Sequence, residues 1–152
     1  MELTNIKTCF LAGAMINSAD KWADRYEIKW RKEAYEYFNK YIDGFNISMP
    51  PEFWTTEDYS CNGKETLRFD MRNIRESDII LVNLKDLESS LSTSDEIFYG
   101  YLSQKPVIGF LEEETEETAV IHPWKREQLD KIFFGKGAMK CAIQYIATYY
   151  ER

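Results

Sequence analysis

The chain has 152 residues, 30% of them charged and 15% aromatic, and a formal net charge of −7. That composition points to one soluble globular domain over residues 1–152 with a full-sized core, and excludes a disordered or low-complexity chain. The acidic balance argues against nucleic-acid binding, which needs a basic face, but leaves room for a small anion held by backbone N–H groups.

Cys9, Cys61 and Cys141 lie far apart with no C-x-x-C pair. Neither a disulfide framework nor a metal site is expected, and a reducing cytoplasm fits. No apolar run approaches the roughly 18 residues of a membrane span, and the N-terminal run is too short for a signal peptide.

In chain order, "KTCFLAG" predicts a buried strand ending at Gly13, after which Asn17 or Ser18 can cap a long helix. Trp22, Tyr26, Trp30, Ala34, Tyr37, Phe38 and Tyr41 recur at three- or four-residue spacing along that helix, and Gly44 ends it. "FNISM" predicts a second strand, stopped by Pro50-Pro51. The segment from Glu52 to Lys64 reads as a long loop, a usual place for a binding loop. "ETLRFDMRNIRES" puts Leu67, Met71 and Ile74 on one helical stripe, with Asp70 bordering it. "DIILVNL" is a near-continuous apolar strand of the kind found in parallel sheets.

A serine-rich loop from Asp86 follows, then a helix from about Asp95 to Ser103, the strand "PVIGF", and the acidic run Glu112 to Glu117, which reads as a solvated loop. "KREQLDKIFF" holds a short helix and a fifth strand. "AMKCAIQYIATYY" closes the chain as a helix with Met139, Ile143, Ile146 and Tyr150 on one side. The alternation predicts a three-layer α/β fold, a flavodoxin/Rossmann-like doubly wound sheet of about five mostly parallel strands. In such sheets ligands bind beyond the carboxyl ends of the strands. The segments there are Ala12 to Ser18, Pro50 to Lys64, and Asp86 to Glu96.

Several residues in these segments have two readings. Thr93 with Glu96 has the spacing of a capping box, and a carboxylate at a helix start is also favoured in its ionised form and able to act as a nucleophile. Asp70 is either a solvated or paired acid, with Arg72 or Arg75 in reach, or a functional one. Asp78 most simply caps the turn into its strand, and His122, before Pro123 and Trp124, reads as incidental. "AGAMINSAD" has a single glycine and is no dinucleotide or Walker motif, yet it can present backbone donors at a helix start.

The order of these motifs says more than any one of them. "FLAG" after the first strand is followed by "KWRKEA" in the first helix and a proline after the second strand, then by "FDMRNIRESDIILVNL" and "STSDEIFYGYLSQKPVI". Over about Cys9 to Phe110 the chain resembles the nucleoside 2-deoxyribosyltransferase family, which shares a small-Gly turn, a Trp-Arg pair, D-x-x-x-I-x-x-S/N-D before a strand and G-T-x-x-E after it. The resemblance implies that Glu96 is the nucleophile attacking the anomeric carbon of a 2-deoxyribosyl group. It implies that Asp70 protonates or orients the base, and that water or a second base accepts the sugar with net retention.

This chain departs from the family at Ser92, where the glycine stands, at Phe98-Tyr99-Gly100 in place of G-Y-A, and at Cys9 in place of an aromatic. Ser90 stands where transferases carry an aspartate for the sugar 5′-hydroxyl. A serine hydroxyl can donate to a 5′-phosphate that a carboxylate would repel. In this the chain resembles the related 2′-deoxynucleoside 5′-monophosphate N-glycosidases, whose loop after the first strand cradles the phosphate. Here that loop is Gly13, Ala14, Met15, Ile16, Asn17 and Ser18. Base contacts are expected from the Pro50 to Lys64 loop, where Phe53, Trp54 and Tyr59 either stack on a ring or serve as loop packing.

The resemblance thus implies cleavage of the N-glycosidic bond of a 2′-deoxynucleoside or its 5′-monophosphate. It implies no cofactor, no nucleic-acid or membrane partner, and a homo-oligomer with shared active sites. The alternatives are a transferase restricted to unphosphorylated nucleosides and a nucleotide-binding module that has lost catalysis.

Overall fold

The computed structural model describes residues 7–14, 26–48 and 63–150. The elements are β1 (Lys7–Ala12), α1 (Tyr26–Tyr41), β2 (Phe45–Ser48), α2 (Gly63–Glu76), β3 (Ile79–Asn83), α3 (Leu91–Leu102), β4 (Val107–Leu111), α4 (Pro123–Arg126), β5 (Lys131–Phe134) and α5 (Ala138–Tyr150). The strands form one sheet in the order β2-β1-β3-β4-β5, and every pairing is parallel. This is the doubly wound α/β arrangement expected from the alternation of elements. Its strand order reverses between β1 and β3, so a crevice opens at the carboxyl ends of those two strands.

Two apolar layers sandwich the sheet. On one face Cys9, Leu11, Ile79, Leu81, Ile108 and Phe110 pack against Trp30, Ala34 and Phe38 of α1 and Met139, Ala142, Ile143 and Ile146 of α5. On the other, Phe10, Ala12, Ile80, Val82 and Val107 pack against Ile74 of α2 and Ile97 of α3. Alternate residues of each strand therefore feed opposite layers, and β3 and β4 are buried along their whole lengths because both faces are covered. Among the described residues no helix is long and apolar enough to cross a membrane.

The structure corrects several local expectations. The third helix begins at Leu91, four residues before the expected Asp95, because Ser90 caps it. The Ser90 side chain accepts the Thr93 N–H at 3.3 Å, and the Ser90 carbonyl accepts the first helical bond from Ser94 at 3.2 Å. Thr93 and Glu96 therefore do not form the expected capping box. Leu67 lies off the buried stripe with 53% of its surface exposed, while Ile74 is fully buried and Met71 partly so.

Asp78 reaches beyond its own turn. Its carboxylate accepts the backbone N–H of Thr8 at 2.8 Å and ties the start of β3 to β1. The fourth helix is the short turn Pro123–Arg126, earlier than its expected segment, and His122 caps it by accepting the Trp124 N–H at 3.1 Å. Tyr35 and Tyr41 of α1 face outward, whereas Trp30, Ala34 and Phe38 carry its core face. Asn17, Ser18 and Trp22, expected at the start of the first helix, lie outside the described residues.

Candidate active site

Three charged side chains act on one another at the carboxyl edge of β1 and β3. Glu96 comes from α3, Asp70 from α2 and Arg31 from α1, so the acids arise from one face of the sheet and the cation from the other. Each is placed by local packing. The buried side of α3 consists of Thr93, Glu96, Ile97 and Gly100, a helical stripe at successive spacings of three, one and three residues. Gly100 lets that stripe sit hard on the sheet. A Cβ there would lie 2.3 Å from Ile80 Cδ1 and 3.1 Å from Val107 Cγ2. Glu96, one turn earlier on the same face, is thereby driven inward and keeps only 5% of its surface exposed.

The other end of α3 is braced by α4. Lys125 Nζ donates to the Ser94 carbonyl at 2.9 Å and to Gln128 Oε1 at 2.7 Å. On α1, Trp30 and Arg31 close around Gly13 at the end of β1. A Cβ on Gly13 would lie 2.8 Å from Trp30 Cζ2 and 3.3 Å from Asn83 Cβ, so only glycine fits beneath the indole. Arg31, 3% exposed, donates from Nη2 to the Gly13 carbonyl at 3.0 Å.

Burial and mutual repulsion set the electrostatics. Glu96 is pushed up to about 8, first by desolvation and next by the Asp70 charge, with Arg31 pulling the other way and Asp95 adding a smaller push. Desolvation also raises Asp70, to about 6, against the pull of Arg31. Among the described residues, Asp70 Oδ1 and Glu96 Oε2 are buried without a hydrogen-bond partner. The expectation that the start of α3 holds Glu96 ionised is therefore corrected. Glu96 sits beyond the first turn, where the helix dipole has faded, and desolvation wins. Two acids so placed titrate as a pair, which between about pH 6 and pH 8 carries one proton.

Ser90 lies at the start of α3, where its hydroxyl is within 2.7 Å of Thr93 Oγ1 as well as capping the helix. Gly13 and Ala14 end β1 at the crevice, while Met15, Ile16, Asn17, Ser18, Phe53, Trp54 and Tyr59 lie outside the described residues. Among the described residues no cluster of three or more His, Cys, Asp or Glu side chains is arranged to hold a metal ion. Reasoning from the sequence found both acids but gave Arg31 no role. The available signal was its place in "KWRKEA", next to the buried Trp30 of α1.

No family model matches the sequence, and no curated protein does. Solved structures do match. A conserved protein from Enterococcus faecalis V583 superposes with a TM-score of 0.72 at 12% identity, covering 93% of this chain and 99% of that one. A Clostridium botulinum CMP N-glycosidase superposes with a TM-score of 0.56 at 16% identity, covering 94% and 99%. The fold is common to all three. At such identities the likeness speaks for the architecture and leaves the chemistry to the residues.

Proposed function

We propose that the protein cleaves the N-glycosidic bond of a 2′-deoxynucleoside or, preferentially, of its 5′-monophosphate, through a covalent sugar ester on Glu96. The observation that carries this reading is the buried Asp70–Glu96 pair at the β1/β3 crevice, holding one proton near neutral pH. One ionised and one protonated carboxyl is the complement that a double displacement at a sugar carbon requires. The N-glycosidase among the structural neighbours supports the same class of bond.

In the first step a Glu96 carboxylate oxygen attacks the anomeric carbon. The bond to the base nitrogen breaks, its electron pair leaves with the base, and the Asp70 carboxyl supplies the proton. In the second step water, or another base, attacks the same carbon and frees Glu96, while Asp70 takes back a proton. In the unliganded protein the single proton can sit on either acid, since burial raises both. The reactive arrangement has it on Asp70. Both arrangements contain the same number of protons, so a single bell-shaped profile describes them.

The phosphate preference rests on Ser90, which the family resemblance aligns with an aspartate that would repel a phosphate, and on the chain that leaves Gly13. The test is incubation with deoxynucleosides, their 5′-monophosphates and CMP, with and without a free acceptor base, following free base and exchanged product. Release from the monophosphates, a sugar adduct on Glu96 in the quenched protein, and loss of both in Glu96→Ala are expected. A Glu96→Ala protein that still releases base overturns the reading.

A further inference from the structure

Arg31 does two things from one position. Its guanidinium holds the Gly13 carbonyl at 3.0 Å, and the same charge acts on both Asp70 and Glu96. Its neighbour Trp30 covers the α-carbon of Gly13, and the Arg31 guanidinium itself lies 4.7 Å from the Trp30 ring centre. The start of the loop beyond β1 is thus clamped by a ring on one side and a hydrogen bond on the other.

Among the described residues, the charged groups acting on Glu96 are Asp70 from α2, Arg31 from α1 and Asp95 of its own helix. Arg31 is the cation among them, and Asp70 is pulled by it as well. A buried carboxyl pair without a cation nearby stays doubly protonated to high pH, because a bare charge in such a place is too costly. A doubly protonated pair has no nucleophile.

We propose that Arg31 is a positioning residue for the reaction: one guanidinium both fixes the backbone leaving β1 and supplies the positive charge against which the Asp70–Glu96 pair holds a single negative charge. The inference rests on the proposed double displacement for its catalytic meaning, while its electrostatic part concerns the free protein alone. The side chain suits both tasks, since arginine stays charged when buried and its planar fork donates in fixed directions. It also links the two halves of the site. A displacement of the Gly13 carbonyl moves the cation relative to the acids, so the position of that carbonyl and the ionisation of the pair are coupled.

The test compares wild type, Arg31→Lys and Arg31→Gln by following the side-chain carboxyl carbons of Asp70 and Glu96 in an NMR titration without substrate, together with pH profiles of kcat and kcat/KM. In Arg31→Gln the pair is expected to ionise about one pH unit or more higher, a tenfold change in the ionised fraction at neutral pH, and the acid limb of kcat to move with it. In Arg31→Lys the titration is expected within about half a unit of wild type, with KM raised more than kcat is lowered because the clamp on Gly13 is lost.

A pair that titrates in Arg31→Gln as in wild type overturns the proposal. If Arg31→Gln folds at about pH 5 but unfolds as the pair ionises, the proposal is supported. If it folds at no pH, Arg31→Lys decides: an unshifted pair supports it and an upward shift overturns it. A protein that turns over none of the tested substrates yet shows the titration shift refutes the proposed reaction and leaves the electrostatic role standing.

Discussion

Glu96→Gln offers a direct probe of the buried pair, because it keeps the shape of the side chain and removes its ionisation. The carboxyl has its ordinary value of 4.5 in the unfolded chain, and burial pushes it up to about 8 in the folded one. A folded-state value above the unfolded one means that stability falls as pH rises through this window. Below about pH 4.5 both states are protonated and no difference exists. Between the two values the unfolded chain releases a proton that the fold retains, and above about pH 8 the full cost of ionising Glu96 in place is present.

Each unit corresponds to about 1.4 kcal/mol, so wild type loses about 3 kcal/mol by pH 7, and about 4 kcal/mol between pH 5 and pH 8.5, relative to the variant. Burying an amide in place of the acid adds a cost of its own, but that cost is constant with pH and cancels in the difference. Urea unfolding of both proteins at about pH 5 and about pH 8.5, fitted to a two-state transition, measures it. Glu96→Gln is expected to gain on wild type at the higher pH while losing base release entirely. A stability difference that does not change with pH refutes the buried-pair reasoning, whatever the activity.

Other changes separate the parts of the site. Asp70→Asn removes the proton whose loss from the pair at about pH 8 sets the alkaline limb of kcat, so that limb is expected to disappear, with the rate down by roughly 10²- to 10⁴-fold for want of a proton donor. Ser90→Ala removes the cap of α3 and is expected to cost about 1 kcal/mol in unfolding free energy. Under the proposed phosphate contact of Ser90, it also raises KM for a 5′-monophosphate more than for the nucleoside. Gly100→Ala introduces a methyl against Ile80 and is expected to destabilise by about 1–3 kcal/mol in thermal unfolding, with activity falling as Glu96 shifts. Leu91, Tyr101 and Leu102 on α3 expose about half or more of their surfaces. For the homo-oligomer implied by the family resemblance, Leu102→Glu at this face is expected to delay elution in size-exclusion chromatography.

The sheet was readable because each strand is a short apolar run bounded by turn residues, and because alternation with helical patterns leaves few ways to order parallel strands. The two acids were readable from their motif context. The start of α3 was not: "SSLSTS" has the composition of a loop, and a serine cap is hard to single out among five neighbouring hydroxyl residues. Reading Thr93, Glu96, Ile97 and Gly100 as one buried stripe would have placed both the helix start and the burial of Glu96. Leu67 misled for the opposite reason, since an apolar residue in register with a stripe need not be covered once the helix reaches past its neighbours. Arg31 escaped notice because its partner is a backbone carbonyl 18 positions away, and backbone acceptors leave no mark on a sequence.

The stripe on α3 bears on how this chain evolves. Glu96 occupies a position that the packing of Ile97 and Gly100 would give to an apolar side chain. A lineage released from that chemistry would gain stability by drifting to an apolar side chain there, valine being one nucleotide change away and leucine two. The acid is a standing handicap that the proposed reaction would offset. Among distant relatives of this fold, the residue at this place should therefore sort working enzymes from retired ones more cleanly than overall similarity does.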